Sequence, residues 1–217
     1  MMPSSLPAVL VGLIVATYWA RVLRLMRKIR RKAGHSANVI PPGILGGLTR
    51  ALWLPVVFLW ILLSLLGPFI QTRFWLLRPL FELPALGWVA FAVAASSLVL
   101  TWICWNQMGF SWRMGINPAE KTSLIVTGPY AYIRHPIYAL SSALMLATVA
   151  ADPVPLMFAV AIAHILLLQF EAWREEQYLA RVHGQPYLDY CRKVGRFIPS
   201  RRFPSQSNMQ LHGRDGG

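Results

Sequence analysis

Five stretches of this chain, residues 1–20, 51–72, 83–112, 135–151 and 153–170, contain no Asp, Glu, Lys or Arg. A helix crossing the hydrocarbon core of a bilayer needs roughly 20 predominantly apolar residues. Lipid offers no partner for an open amide or carbonyl, so the backbone must satisfy itself within the helix. The stretches predict about five transmembrane helices, in an all-α polytopic membrane bundle followed by a C-terminal cytoplasmic helical segment. Only Asp152 separates the last two stretches, which predicts a tight helical hairpin. Composition agrees: 56% of the 217 residues are hydrophobic and 13% are charged, against about a quarter charged in a soluble domain.

The remaining charge is one-sided. Lys and Arg number 21 against 8 Asp and Glu, a formal net charge of +13 that fits either nucleic acid or an anionic lipid surface. Position decides for the membrane. Between the first two stretches lie Arg21, Arg24, Arg27, Lys28, Arg30, Arg31, Lys32 and Arg50 with no acidic residue, a basic loop that marks the cytoplasmic side. Threading five spans from there puts Arg113, Lys121, Arg134 and the eight basic residues from Arg174 to Arg214 on the same side, with Arg73 and Arg78 opposite, 19 against 2. The N-terminus is expected outside and the C-terminus in the cytoplasm, in a bacterial inner membrane or an endomembrane. That orientation holds even if the last hairpin only dips into the bilayer. No nucleic-acid partner is expected, because the basic residues hug span ends and form no reader motif.

No basic residue precedes the first apolar run, so it is read as a retained span and not a secretory signal. Three regions follow: residues 1–82 with the first spans and the basic loop, 83–203 with the chemistry, and a disordered tail at 204–217. Trp19, Trp53, Trp75, Trp88 and Trp112 fall near span ends and are read as an interfacial belt. The two cysteines, Cys104 and Cys191, form no CxxC or Cys/His cluster, so neither a disulfide framework nor a metal site is expected.

The candidate chemistry begins after the third span. Asn117-Pro118 and Gly128-Pro129 are turn signals around the short apolar run Leu124 to Val126. Pro136 suits the first turn of the fourth helix, with His135 beside its free amides. Arg134 and that helix N-terminus make a place for a carboxylate or phosphate. After the fifth span, Glu171, Glu175 and Glu176 appear where the helix leaves the membrane, and Glu171 and Glu175 share a face. Gly184 ends that helix, and Pro186 starts another that stops at Gly195. A ligand carrying both charges would fit between a cationic Arg134-His135-Pro136 end and an acidic Glu175-Glu176 end. Spacing alone does not select S-adenosylmethionine over another zwitterion or a nucleotide.

The ordered run Gly128-Pro129-Tyr130, Tyr132, Arg134-His135-Pro136, Tyr138, then Glu175-Glu176, Gly184, Tyr187, Tyr190 and a closing Ile198-Pro199 resembles the isoprenylcysteine carboxyl methyltransferase and phospholipid methyltransferase family of membrane enzymes. The resemblance covers about residues 109–199. It implies S-adenosyl-L-methionine enclosed by the C-terminal half, and a lipophilic or small apolar acceptor arriving from the bilayer. By motif it places Tyr130, His135, Pro136, Ile137 and Tyr138 around the cofactor, the segment Thr122, Ser123, Leu124 and Ile125 along it, and Glu175 in contact with it. Arg134 and Glu176 would be polar groups near the reacting centre. In the prenylcysteine enzymes an arginine four residues before the acidic pair holds the substrate carboxylate; here that position is Glu171, which argues against a carboxylate acceptor.

The reaction implied is in-line transfer of a methyl group from a sulfonium to oxygen, nitrogen or sulfur. It needs alignment and exclusion of water and involves no covalent enzyme intermediate. Phospholipid N-methylation and thiol S-methylation are alternatives within that class; an NADPH-dependent sterol-type reductase is one outside it. The plainer readings are that His135 caps a helix, that Glu175 and Glu176 pair with Arg174 or Arg181 at a surface, that Tyr187 and Tyr190 pack the last helix, that His164 bonds within the bundle and that Cys104 fills space.

Overall fold

The computed structural model describes residues 5–32, 44–69, 74–109, 112 and 124–200. Thr122, Ser123, the Asn117-Pro118 turn and the tail 204–217 lie outside the described residues. Among the described residues six α-helices follow one another: α1 (Ser5–Lys32), α2 (Ile44–Leu66), α3 (Pro84–Met108), α4 (Pro136–Ala151), α5 (Pro155–His183) and α6 (Gln185–Lys193). The only strand-like pairing among these residues is a parallel bridge between Ile133 and Gly195. The architecture is the expected helical membrane bundle.

Four of these helices, α1, α2, α3 and α5, are long and apolar enough to cross a bilayer. The fourth expected span, α4, has 16 residues, roughly 24 Å of helix against about 30 Å of hydrocarbon. It joins α5 through a tight turn in which Asp152 N donates to Thr148 O at 3.0 Å and Val154 N to Asp152 O at 2.9 Å. Proline opens α3, α4 and α5, where a missing N–H costs nothing.

One element differs from its expectation. The basic residues read as a loop after residue 20 lie on α1, which runs on to Lys32. The cause is the apolar stripe between them: Val22, Leu25 and Ile29 are buried in continuation of Val11, Val15 and Tyr18, while Arg24, Arg27, Lys28, Arg30 and Arg31 point outward. Spacings of three and four keep one face on the core for the full length of the helix.

Packing follows membrane rules. Along α3 the small residues Ala90, Ala94, Ser97, Thr101 and Cys104, three or four apart, are buried, and α3 packs extensively against α4. Small side chains let the two helix axes approach where no hydrophobic force favours one apolar partner over another. Trp60 of α2 is fully buried and donates from Nε1 to Thr148 Oγ1 at 3.1 Å. Leu13, Phe58, Leu62, Val89, Val99, Leu100, Leu146, Ile162 and Leu166 are exposed on the outside. So much apolar surface is untenable in water and suits lipid contact.

Candidate active site

The last apolar residue of α5's charge-free run is Phe170, and α5 continues for more than three turns with Glu171, Arg174, Glu175, Glu176 and Arg181. The same end of the bundle holds the start of α4 and all of α6. Pro136 is the first residue of α4 and His135 its N-cap, without a side-chain capping bond. Arg134 N donates to Gly195 O at 2.8 Å and His135 N to Arg196 O at 3.0 Å, clamping the chain after α6 alongside the run before α4. Gly195 has to be glycine, because a Cβ there would collide with the carbonyl oxygen of Ile198.

Arg134 holds three elements together. Its Nε and Nη2 donate to Glu176 Oε1 of α5 at 3.0 and 2.9 Å. Its Nη1 donates to Cys191 O at 3.1 Å and to Val194 O, the open carbonyls at the end of α6. Arg196 closes the other side of Glu176, donating from Nε to Oε1 at 3.0 Å and from Nη2 to Oε2. Burial pushes the Glu176 carboxyl up, but His135, Arg196 and Arg134 outweigh it and hold the group down at about 2. Arg196 is in turn held above its ordinary value by Glu176.

The expected gap between a cationic and an acidic end is therefore filled by the protein itself. The carboxylate that Arg134 binds is Glu176, because two planar, bidentate-capable groups on converging elements pair directly when nothing separates them. Neither Arg174 nor Arg181 is the partner of Glu176. Arg174 donates to Glu171 at 2.9 Å.

Glu175, one position earlier, faces elsewhere. Its side chain is 37% exposed against 10% for Glu176, and it lines a cavity whose empty volume is about 930 Å³ with its open mouth included. Of the residues that the resemblance assigns to the site, seven line that cavity, Tyr130, Arg134, His135, Pro136, Ile137, Tyr138 and Glu175, and Glu171 lines it with them. Glu176 stands outside the lining, and so do Leu124 and Ile125, which are half-buried.

The imidazole of His135 is buried between the two glutamates, with Nδ1 3.6 Å from Glu175 Oε2 and Nε2 3.3 Å from Glu176 Oε1. It stacks on Tyr138 with ring centroids 5.4 Å apart and an interplanar angle of 2°. Tyr130 sits in a 3-10 turn, Gly128–Ala131, whose position is fixed from two sides. Gln107 of α3 donates from Nε2 to Thr127 Oγ1 at 3.0 Å, and the Tyr190 hydroxyl donates to Tyr130 O. Burial raises the Tyr130 phenol far above its ordinary value, so it stays a neutral hydrogen-bonding group at neutral pH.

The N-terminal helices supply the rest of the wall: Tyr18 and Trp19 from α1, and Arg50 and Trp53 from α2. This corrects the interfacial-belt reading for three tryptophans. Trp19 and Trp112 are buried, and with Trp53 they line the cavity, whereas Trp75 and Trp88 are exposed as a belt requires. A bundle with an internal hollow has aromatic-rich ends facing inward as well as outward, and a span boundary alone does not tell them apart. Arg50, which in the sequence counts only toward topology, is buried in the wall with its guanidinium 4.7 Å from the Trp53 ring centre. Its signal in the sequence was its position, the first charge before a 22-residue apolar run.

His164 bonds within the bundle: Nε2 lies 3.0 Å from Ser141 Oγ and the ring packs 4.9 Å from Trp60. Cys104 is buried in the α3 face, and Tyr187 is the buried residue of α6. Among the described residues no group of three or more His, Cys, Asp or Glu has the arrangement of a metal site.

The cavity thus lies at the charged end of the helical bundle, walled by aromatics and by Glu171 and Glu175 beside Arg50 and Arg134. Residues 85–186 match the family model described as phospholipid methyltransferase, from the first turn of α3 to the second residue of α6. No curated protein and no solved structure matches the chain.

Proposed function

We propose that the protein is an integral-membrane, S-adenosyl-L-methionine-dependent methyltransferase whose acceptor is a lipid presented from the bilayer. The observation that carries this reading is that the family-matched segment supplies most of the cavity's charged end, including the stacked pair His135 and Tyr138 and the carboxylate Glu175. The family match favours a phospholipid acceptor over an isoprenylcysteine one.

The residues present suit the cofactor. When bound, S-adenosylmethionine would supply an activated methyl group on a sulfonium. Glu175 offers a partly solvated carboxylate for its ammonium. Tyr130, Tyr138 and Trp105 offer ring faces that attract a sulfonium or stack on adenine. His135, held between Glu175 and Glu176, offers its ring to the cavity wall. The segment Thr122 to Ile125 remains in the proposal as a further wall. Arg134 and Glu176 act as positioning residues, fixing the α4 start against α5 and the end of α6.

Because the donor is already activated, the protein's task is to hold two reactants in line and keep water out. An aromatic cavity between helices does both. The acceptor proton leaves toward the charged mouth, where Glu175 is the exposed base.

Calorimetry on the detergent-purified chain with S-adenosylmethionine, S-adenosylhomocysteine and NADPH tests the cofactor assignment. The first two are expected to bind and NADPH not to. His135→Ala and Glu175→Gln are each expected to weaken S-adenosylmethionine by roughly tenfold or more while the fold is retained, the scale of one lost charge-assisted contact. Undiminished binding in both variants would remove the site assignment.

A further inference from the structure

Four of the cations that follow the first apolar run stand on one face of α1. Arg24, Arg27, Lys28 and Arg31 are exposed, and their spacing of three, four and seven residues from Arg24 keeps them together along the helix. Among the described residues these four line an open hollow by themselves. Val22, Leu25 and Ile29, turned the other way, are buried. Membrane orientation depends on how many cations there are and is indifferent to where they point. The buried stripe is what gathers these into one basic strip.

The chain offers the arginines of the strip no acid nearby in sequence, since its first acidic residue is Glu82. Among the described residues Glu171 is bound to Arg174, Glu176 to Arg134 and Arg196, and Asp189 to Arg192, and no ion pair joins an acid to Arg24, Arg27 or Arg31.

The strip also has a definite depth. Arg21 is the first charge after the apolar run, and its guanidinium carbon lies 4.3 Å from the ring centre of Trp102, an exposed aromatic in the last two turns of α3. A cation folded over an interfacial tryptophan marks where hydrocarbon gives way to headgroups. From Arg24 to Arg31 the helix climbs about 10 Å, against roughly 5–8 Å of headgroup layer on each side of a bilayer. The strip therefore crosses the phosphate layer from its inner to its outer edge. Guanidinium groups bind phosphate through paired N–H donors.

We infer that this face of α1 is a binding surface for anionic phospholipid headgroups, which it holds against Arg24, Arg27 and Arg31. The occupant is a lipid, and not an acidic protein or a nucleic acid, because the strip starts at the hydrocarbon boundary and continues a membrane-spanning helix. Tyr18, Trp19 and Val22 of the same helix line the aromatic cavity, so bound lipid anchors one of its walls. The inference does not depend on which reaction the cavity carries out.

The test is native mass spectrometry of the detergent-purified full chain, titrated with dioleoyl phosphatidylglycerol or dioleoyl phosphatidylcholine. The wild type is expected to bind the anionic lipid about tenfold or more tighter, the scale of two basic residues at an anionic surface. That preference should shrink as ammonium acetate rises from about 0.1 to 1 M and the screening length falls from about 10 to 3 Å. Arg24→Gln combined with Arg27→Gln should weaken phosphatidylglycerol by roughly 10- to 30-fold and leave phosphatidylcholine within about threefold. Arg24→Lys with Arg27→Lys should keep most of the preference. Removing two exposed cations from α6 instead, by Arg192→Gln with Lys193→Gln, should change it by less than about threefold. A wild type without the preference overturns the inference, and so does a glutamine variant of the strip that keeps it. A lysine variant or an α6 variant that loses as much as the glutamine variant of the strip also overturns it. If that glutamine variant unfolds early, the wild type alone decides, because a preference insensitive to salt overturns the inference.

Discussion

Glu176 is the most constrained side chain at the charged end of the bundle, and its constraint is measurable as a pH dependence. Its folded carboxyl sits at about 2, against an ordinary 4.5, because the nearby imidazole of His135 and the hydrogen bonds from Arg196 and Arg134 outweigh burial. A group depressed on folding contributes stability above its unfolded value and loses it as pH falls toward the folded one. Thermal unfolding in detergent should therefore show a stability loss between about pH 4.5 and 2 that is absent in Glu176→Gln, which is already less stable at neutral pH. Equal pH profiles for the two proteins would mean that the Arg134–Glu176–Arg196 cluster is not formed. At this scale the sequence was informative where chemistry is contiguous. Tyr130 to Tyr138 lie within nine residues, so their joint arrival at one cavity needed only a turn and a helix start. It was silent where partners come from afar: nothing in the spacing from Arg134 to Glu176 to Arg196 says that the three will pair with one another while Glu175 faces the cavity.

At the scale of elements, the contact between α3 and α4 is what positions the cavity, since α4 carries His135 and Tyr138 at its start. Ala94 is fully buried on the small face of α3. Ala94→Leu should separate the two helices and destabilise the bundle by about 1–3 kcal/mol, the usual cost of overpacking, while the exposed Val99→Leu on the lipid side should be neutral. Denaturant or thermal titration in detergent measures both. The spans themselves were legible because a water-soluble helix needs charged residues on its outer face, and a charge-free run of about 20 residues leaves it none. The reach of α1 past its apolar run was legible only in the spacing of Val22, Leu25 and Ile29, a stripe easily lost among seven cations between Arg21 and Lys32. The inward-facing Trp19, Trp53 and Trp112 were not legible, because composition near a span end does not record direction.

For the molecule as a whole, charge asymmetry and cavity position make one account. The basic block on α1, the acidic and basic end of α5 and all of α6 are proposed to share the cytoplasmic side, where a soluble methyl donor is available, while the acceptor stays in the leaflet. Single cysteines placed at Arg31 and Arg78 in a chain lacking Cys104 and Cys191 test this by labelling of intact cells with a membrane-impermeant maleimide. Position 78 should label and position 31 should not; the reverse pattern would invert the orientation.

In the proposed reaction the aromatic and acidic hollow between α1, α2, α4 and α5 brings a methyl donor and a lipid together. Incubating the purified chain in nanodiscs with methyl-tritiated S-adenosylmethionine, then extracting and separating the lipids, measures it most directly. Label is expected in a phospholipid fraction and is expected to vanish in His135→Ala; S-adenosylmethionine turnover that leaves the lipid fraction unlabelled, or no turnover at all, would rule out lipid methylation by this hollow.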